Sequence, residues 1–463
     1  MKFQKGIALA LAAASLAAFS AGCSNKAPGE VEGKINVSIG GWPAETNPES
    51  LERQNKMKDV FMEQNQDINI IPDTYNYDTK TFTLKATAGQ LPTAYKVWFT
   101  EIQQIIKQGY AADVTEFMDK YGFTDSLNPM LLDFVKDSEG KLYGLPTDGY
   151  AQGLYINKKL FREAGLVNAD GSVKVPQTYQ EVAEFAQIIK EKTGKAGLVL
   201  PTTNNAGGWQ FLNVAWSYGA DFCEQDADGK WKSILDSQAA RDALQYYKDL
   251  KWKYNALMDE TVITQSDLYK WFGTYNAAMM IANPPCGGLS GTYDMEISDI
   301  YVTRMPEGPA GRYSQMGGNL WMFSTAATPE QLDACFKWII HTGFSPELSD
   351  EQLANLKTGY QNTISNNGIV LDQSEFPIWV NPERMEKEYA AKREYANVNH
   401  EDYAEFYAFE GVTIKPEPAA CAQQLYSIMD GAIQEVFTNE NADVDKLIAE
   451  ASVDYQVNHL DKM

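Results

Sequence analysis

Ile35-Asn36-Val37-Ser38-Ile39 alternates apolar and polar side chains and runs into Gly40-Gly41-Trp42-Pro43, the pattern of a half-buried strand ending in a turn. From about Pro48 to Asn65 the apolar residues Met57, Val60 and Phe61 share one helical face, and Ile68-Asn69-Ile70-Ile71 then reads as a second strand. Strand, helix and strand in so short a span is the unit from which α/β layers are built. The alternation continues along the chain. Thr178 and Glu181 have capping-box spacing ahead of Val182, Phe185, Ile188 and Ile189, and Thr328-Pro329-Glu330-Gln331 repeats the signal with proline in the first turn. Short β-like runs lie between the helices at Ala196–Leu200, Ala277–Ile281, Ile300–Thr303 and Leu320–Phe323. This predicts an α/β fold with largely parallel sheets, in which ligands bind beyond the carboxyl ends of the strands.

Composition narrows the function. The 463 residues allow two to four domains or one large two-lobed body. A hydrophobic fraction of 44% with 12% aromatics excludes a disordered acidic chain. With 39 Lys+Arg against 62 Asp+Glu the formal net charge is -23, which argues against a nucleic-acid partner, because phosphate binding needs a basic footprint. Three histidines, His341, His400 and His459, stand far apart and leave little for zinc or histidine catalysis, so neither metal nor cofactor is expected. Cys335 and Cys421 fall on apolar helical faces, while Cys223 and Cys286 sit in loop-like sequence, where a disulfide between them stays open. Asp226-Ala227-Asp228-Gly229 is similar to the start of a calcium loop but lacks the later glutamate and reads as a turn. Tyr246-Tyr247 lies inside the apparent helix from Ser237 to Trp252 and reads as core. There is no phosphate loop and, after the N-terminus, no apolar run long enough to span a membrane.

Lys2 and Lys5 precede an apolar run, Gly6 to Gly22, that reads as a signal peptide over residues 1–22. Ser20-Ala21-Gly22-Cys23 resembles the lipobox of bacterial lipoproteins, which implies a lipid on Cys23, an anchor and linker over 23–34, and attachment to the outer face of the bacterial cell membrane through that lipid only.

Further segments carry a second resemblance. Ala88-Gly89-Gln90-Leu91-Pro92 is followed by Trp98-Phe99-Thr100-Glu101. Gly140-Lys141-Leu142-Tyr143-Gly144-Leu145-Pro146 leads to Leu154-Tyr155-Ile156-Asn157-Lys158-Lys159-Leu160-Phe161 and Ala164-Gly165-Leu166. Pro176-Gln177-Thr178-Tyr179-Gln180-Glu181, Phe272-Gly273 with Ala277-Ala278-Met279-Met280, and Met305-Pro306-Glu307-Gly308-Pro309 with Gly317-Gly318 follow in order. The set, spanning roughly residues 35–455, resembles the extracellular solute-binding proteins that serve carbohydrate ABC importers. The resemblance implies a type II-like periplasmic-binding-protein fold: two discontinuous α/β lobes, 35–148 with 310–360 and 149–309 with 361–463, joined by a crossover hinge. It also implies a non-enzymatic monomer that closes over a carbohydrate ligand and presents it to ABC permease subunits. Closure follows from a ligand that touches both lobes and so binds only the closed state well.

A sugar site needs flat aromatics for C–H faces and oriented donors and acceptors for hydroxyls. Trp42, beside Gly40 and Gly41 at a strand's end, is a candidate. So are Thr100 and Glu101 after the next strand, although Glu101 could equally start a helix. Asp148 and Tyr150 lie in the crossover, where they could also serve as hinge turn residues. Trp209, after Gly207-Gly208, matches the position where the family often places a stacking tryptophan. Asn283 follows a strand, Gly318 and Asn319 permit close backbone approach, and Trp321 completes the set. The alternatives are a binder of another solute, such as a polyamine or a phosphorylated polyol, and a surface glycoside hydrolase, which would need two carboxylates beside the aromatics.

Overall fold

The alternation in Ile35–Ile39 buries Val37 and Ile39. In the computed structural model, which describes residues 28–286, 288–374 and 376–463, this strand pairs in parallel with Ile68–Pro72 on one side and Ala94–Trp98 on the other. Asn319–Phe323 returns antiparallel to Ala94–Trp98, and Leu145–Pro146 completes the sheet. Helix Pro48–Gln64 starts where Asn47 accepts a bond from the Ser50 N–H, with Pro48 in its first turn. Helix Pro329–His341 carries the full capping box of Thr328 and Gln331. The two helices meet at Phe61 and Trp338, whose rings lie edge to face at 5.3 Å.

A second sheet has Gly153–Asn157 in the middle, with Ile300–Thr303 and Met279–Ala282 on its flanks. Both neighbours run antiparallel to it, which corrects the expectation of largely parallel sheets. The central strand is delivered from the first lobe by the crossover, so its direction is set there and opposes the strands beside it. Ala196–Leu200 is not a strand; it adds one parallel bridge, Ala196 to Ala277. Gly197 shows why. A Cβ there would lie 2.1 Å from the Ala186 carbonyl oxygen, so the segment is pressed against helix Tyr179–Thr193. In that helix Thr178 caps the Glu181 N–H, but the Glu181 carboxylate reaches the Gln177 N–H, one residue before the cap. The Asp226 region is a turn between the paired strands Cys223–Gln225 and Trp231–Ser233, and Tyr247 is buried against Phe211 and Phe437.

Two bodies of core follow. Val37, Val97, Leu320, Phe336 and Trp338 belong to the first. Helices Ala206–Tyr218, Gln238–Trp252 and Ala422–Thr438 bury Phe211, Tyr247 and Ile433 on one side of the second sheet, while Tyr155, Phe272 and Phe406 fill its other side. Phe376 and Trp379 pack into the first core, although the expected boundary put 361–463 in the second lobe. The Trp379 ring is held by Phe344 at 4.8 Å and by the Arg384 guanidinium 4.0 Å above it. Between the bodies, Gly311–Gly317 is flanked by Tyr150–Ala151, antiparallel, and Val412–Pro416, parallel. This narrow sheet is the hinge between two lobes. No helix among the described residues is long and apolar enough to cross a membrane.

Candidate functional site

Where the hinge sheet meets both lobes there is a cavity of about 360 Å³. The first lobe supplies Trp98 at the end of its strand, Thr100 just beyond, and Gly318 with Asn319 at the start of the returning strand. Tyr150 comes from the hinge. The second lobe supplies Asn204, Asn205 and Trp209 from the start of a helix, Gln265, and Asn283 after the strand Met279–Ala282. Glu417, Gln423 and Tyr426 close the wall.

Trp209 is placed by an unusual helix start. Asn204 and Asn205 both take left-handed backbone, φ 58° and 67°, which asparagine tolerates better than most residues. Neither side chain caps the helix Ala206–Tyr218. Asp430, from the neighbouring helix Ala422–Thr438, does so instead, accepting from the Asn205 N–H at 2.6 Å and the Gly208 N–H at 2.8 Å. Burial raises the Asp430 carboxyl above the usual range, against those backbone bonds. Gly207 and Gly208 let the two helices touch: a Cβ would lie 2.7 Å from Asp430 Oδ1 at the first and 2.3 Å from the Tyr426 carbonyl at the second. One residue later the Trp209 indole enters the cavity. Its ring meets Tyr150 edge to face at 6.3 Å and 67°, and its Nε1 donates to Glu417 Oε1.

Glu417 Oε1 also accepts from Gln315 Nε2 at 2.7 Å. Enclosure pushes its carboxyl up to about 7, against the lowering effect of Trp209, Tyr426 and Gln315 as hydrogen-bond donors. The sign of the resulting pH effect is fixed. Between an ordinary value near 4.5 and about 7 the folded protein holds a proton that the unfolded chain has released, so this group's contribution to stability falls as pH rises through that window. Glu417→Gln keeps Oε1 as the acceptor of both bonds and removes the charge. Melting curves from pH 4.5 to 8 should therefore show the variant gaining on the wild type up to about pH 7 and running parallel above it. A constant difference across the range would mean that Glu417 does not titrate there.

Of the residues expected at a site, Thr100, Tyr150, Trp209, Asn283, Gly318 and Asn319 line this one cavity. Four others do not. Trp42 is buried, stacked on Trp338 at 5.8 Å, with Nε1 donating to Asn55. Its flanking glycines serve the main chain: Gly40 N–H bonds the Ala94 carbonyl, and a Cβ there would crowd Tyr95. Glu101 is turned away and accepts from the Tyr77 hydroxyl at 2.7 Å; burial raises its carboxyl, and it makes no helix-capping bond. Asp148 receives the Asn319 N–H at 2.8 Å and the Asn319 side chain, so it ties two hinge crossings together and acts on the cavity through Asn319. Trp321 shares the face of Asn319 but stands two residues, about 7 Å, further from the strand's end, under Lys96.

Trp98, Asn204, Asn205, Gln265, Glu417, Gln423 and Tyr426 were not singled out as ligand contacts. Only Trp98 carried a readable signal, as an aromatic at a strand's carboxyl end. Cys223, Cys286, Cys335 and Cys421 are free thiols, so the open disulfide is not formed. Cys23 and the signal segment lie outside the described residues.

Residues 44–340 match the family model described as bacterial extracellular solute-binding protein. A protein of Brucella abortus (strain 2308), named only as a binding protein, is 25% identical over 340 residues, covering 69% of this chain and 77% of that one. The arabinooligosaccharide-binding protein of Halalkalibacterium halodurans is 26% identical over 132 residues, 27% of each chain. Among solved structures, maltose-bound MalE3 of T. maritima superposes with a TM-score of 0.64 at 19% identity, covering 91% of this chain and 99% of that one. UgpB of Mycobacterium tuberculosis, in complex with glycerophosphocholine, gives 0.65 at 16% identity, covering 93% and 99%. At such identities the structures establish a shared fold.

Proposed function

The chain belongs to the bacterial extracellular solute-binding protein family, and from that premise we propose that its solute is a carbohydrate, taken up in the hinge cavity and handed to the permease of an ABC importer. The observation that carries this is the lining itself. Four aromatic side chains, Trp98, Tyr150, Trp209 and Tyr426, stand among amide side chains contributed by both lobes. Rings offer apolar faces to C–H bonds, and amides both donate and accept, which matches a polyol on a ring. The described lining has no lysine, arginine or histidine, so it offers little to a phosphorylated polyol. Its one carboxylate, Glu417, is partly protonated near neutrality, which disfavours a polyamine. A glycosidase would need a second carboxylate facing the first, and the described lining has one. The signal segment and the lipobox-like Ser20-Ala21-Gly22-Cys23 support export and anchoring through a lipid on Cys23, with the protein acting as a monomer.

The test is a thermal-shift screen of the purified protein against mono- and oligosaccharides, polyamines and polyol phosphates. A bound sugar at 100 times its dissociation constant should stabilise by about 2.7 kcal/mol and raise the midpoint by roughly 3 °C for a chain of this length, with intact sugar recovered afterwards. A rise with polyamine or phosphate alone would overturn the sugar, and recovery of cleaved sugar would overturn simple binding.

A further inference from the structure

A second cavity, of about 330 Å³, adjoins the first. Thr100 and Glu417 line both, so the two spaces share a wall made of one hydroxyl and one carboxyl. Their chemistries differ. The second is walled by Phe99, Phe134, Met130, Met316, Pro416 and Pro418. Phe99 and Phe134 are stacked at 4.9 Å and 21°, and Met130 is 40% exposed. Its polar groups lie at the edge or are partly engaged: Gln103 Nε2 donates to the Phe134 and Lys136 carbonyls at 2.7 and 3.0 Å, and Asp133, largely exposed, pairs with Lys136 at 3.0 Å. At the shared wall stands the Thr100 hydroxyl, beside the Glu101 carboxyl, whose charged form it favours by hydrogen bonding. A hydroxyl keeps acceptor and donor capacity for a polar atom of a ligand there.

A longer oligosaccharide would need hydroxyl partners in the second cavity, and the engaged side chains leave few. An apolar ring needs none, and about 150 Å³ is enough to hold benzene. Building on the carbohydrate reading, we propose that the natural ligand is a glycoside with an aromatic aglycone: the sugar ring lies among Trp98, Tyr150 and Trp209, the aglycone between Phe134 and Pro418, and the glycosidic oxygen passes Thr100. The bridging oxygen accepts from the Thr100 hydroxyl at the wall the two cavities share. Methionine and proline around the aglycone suit planar rings of differing outline, because thioether side chains adapt their shape at little cost.

The experiment is calorimetric titration of matched pairs, the methyl glycoside and the 4-nitrophenyl glycoside of each of several hexoses and pentoses, together with the corresponding disaccharides. For the sugar that binds best, the 4-nitrophenyl glycoside should bind about tenfold or more tighter than the methyl glycoside, since burying a whole aromatic ring is worth at least that factor. Ala419→Trp, which puts an indole into the second cavity, should bring the two affinities together. Methyl glycosides that bind as tightly as their aryl partners in the wild-type protein would overturn the aglycone while leaving the carbohydrate reading intact. A disaccharide that gains as much as the aryl glycoside would also overturn it. Failure of every glycoside and sugar to bind would overturn both readings together.

Discussion

Gly208→Ala should destabilise the protein by about 3 kcal/mol or more, the reverse of what a helix interior predicts. Gly208 lies in the first turn of the helix Ala206–Tyr218, and within a helix an alanine normally gains up to about 0.5–1 kcal/mol over glycine, because it restricts the unfolded chain. Here the new methyl would fall 2.3, 2.5 and 2.7 Å from the carbonyl oxygen, Cα and carbonyl carbon of Tyr426. These are backbone atoms of the facing helix and cannot rotate away. The helices must separate, which opens the packing of Phe211 against its neighbours and stretches the bonds from Asn205 and Gly208 to Asp430. Gly431→Ala is the matched control. It sits on the facing helix, exposed, with nothing within 4 Å of a Cβ, and should gain the usual fraction of a kcal/mol. Chemical denaturation of both variants measures the pair. Equal small gains in the two would mean that the helices have room, and that Gly207-Gly208 has no packing role.

That glycine pair shows what the sequence displayed and what it hid. Strand Ile35–Ile39, helix Pro48–Gln64 and the Thr328 capping box were legible because period, apolar face and cap chemistry are local. The order of motifs displayed the two-lobed fold. The sheet directions were not legible, because a strand delivered through a hinge takes its direction from the other lobe, far away in sequence. The site divides in the same way. Thr100, Tyr150, Trp209 and Asn319 follow strand ends or glycine turns and could be picked out. Glu417 could not: it is one acid among 62, and it becomes distinct only because Trp209 and Gln315, remote in sequence, converge on one of its oxygens. Trp42 is the converse case. A tryptophan in a glycine turn reads as exposed, yet helices Pro48–Gln64 and Pro329–His341 cover it and Trp338 stacks on it. Local sequence shows that a tryptophan sits at a strand's end; which helices will roof it is a tertiary fact.

The two tryptophans therefore make opposite predictions. Trp209→Ala should weaken binding of the best sugar from the thermal-shift screen by about 100-fold, roughly 2.7 kcal/mol, the size expected when a buried aromatic anchor is truncated. Two losses combine. The sugar loses one of the aromatic side chains that line the cavity, and Glu417 Oε1 loses the donor on Trp209. Trp209→Phe separates the losses: it restores a face without the N–H, so its affinity should fall between those of wild type and alanine. Trp42→Ala should do the reverse. It empties a core position stacked on Trp338, costing about 3–5 kcal/mol of stability, while the folded protein keeps its affinity within about twofold. Calorimetric titration beside denaturation curves reads both quantities for each variant. If Trp209→Ala binds within threefold of wild type, the indole is not a ligand contact. If Trp42→Ala loses affinity without losing stability, the ligand sits in the first lobe's turn rather than in the hinge cavity.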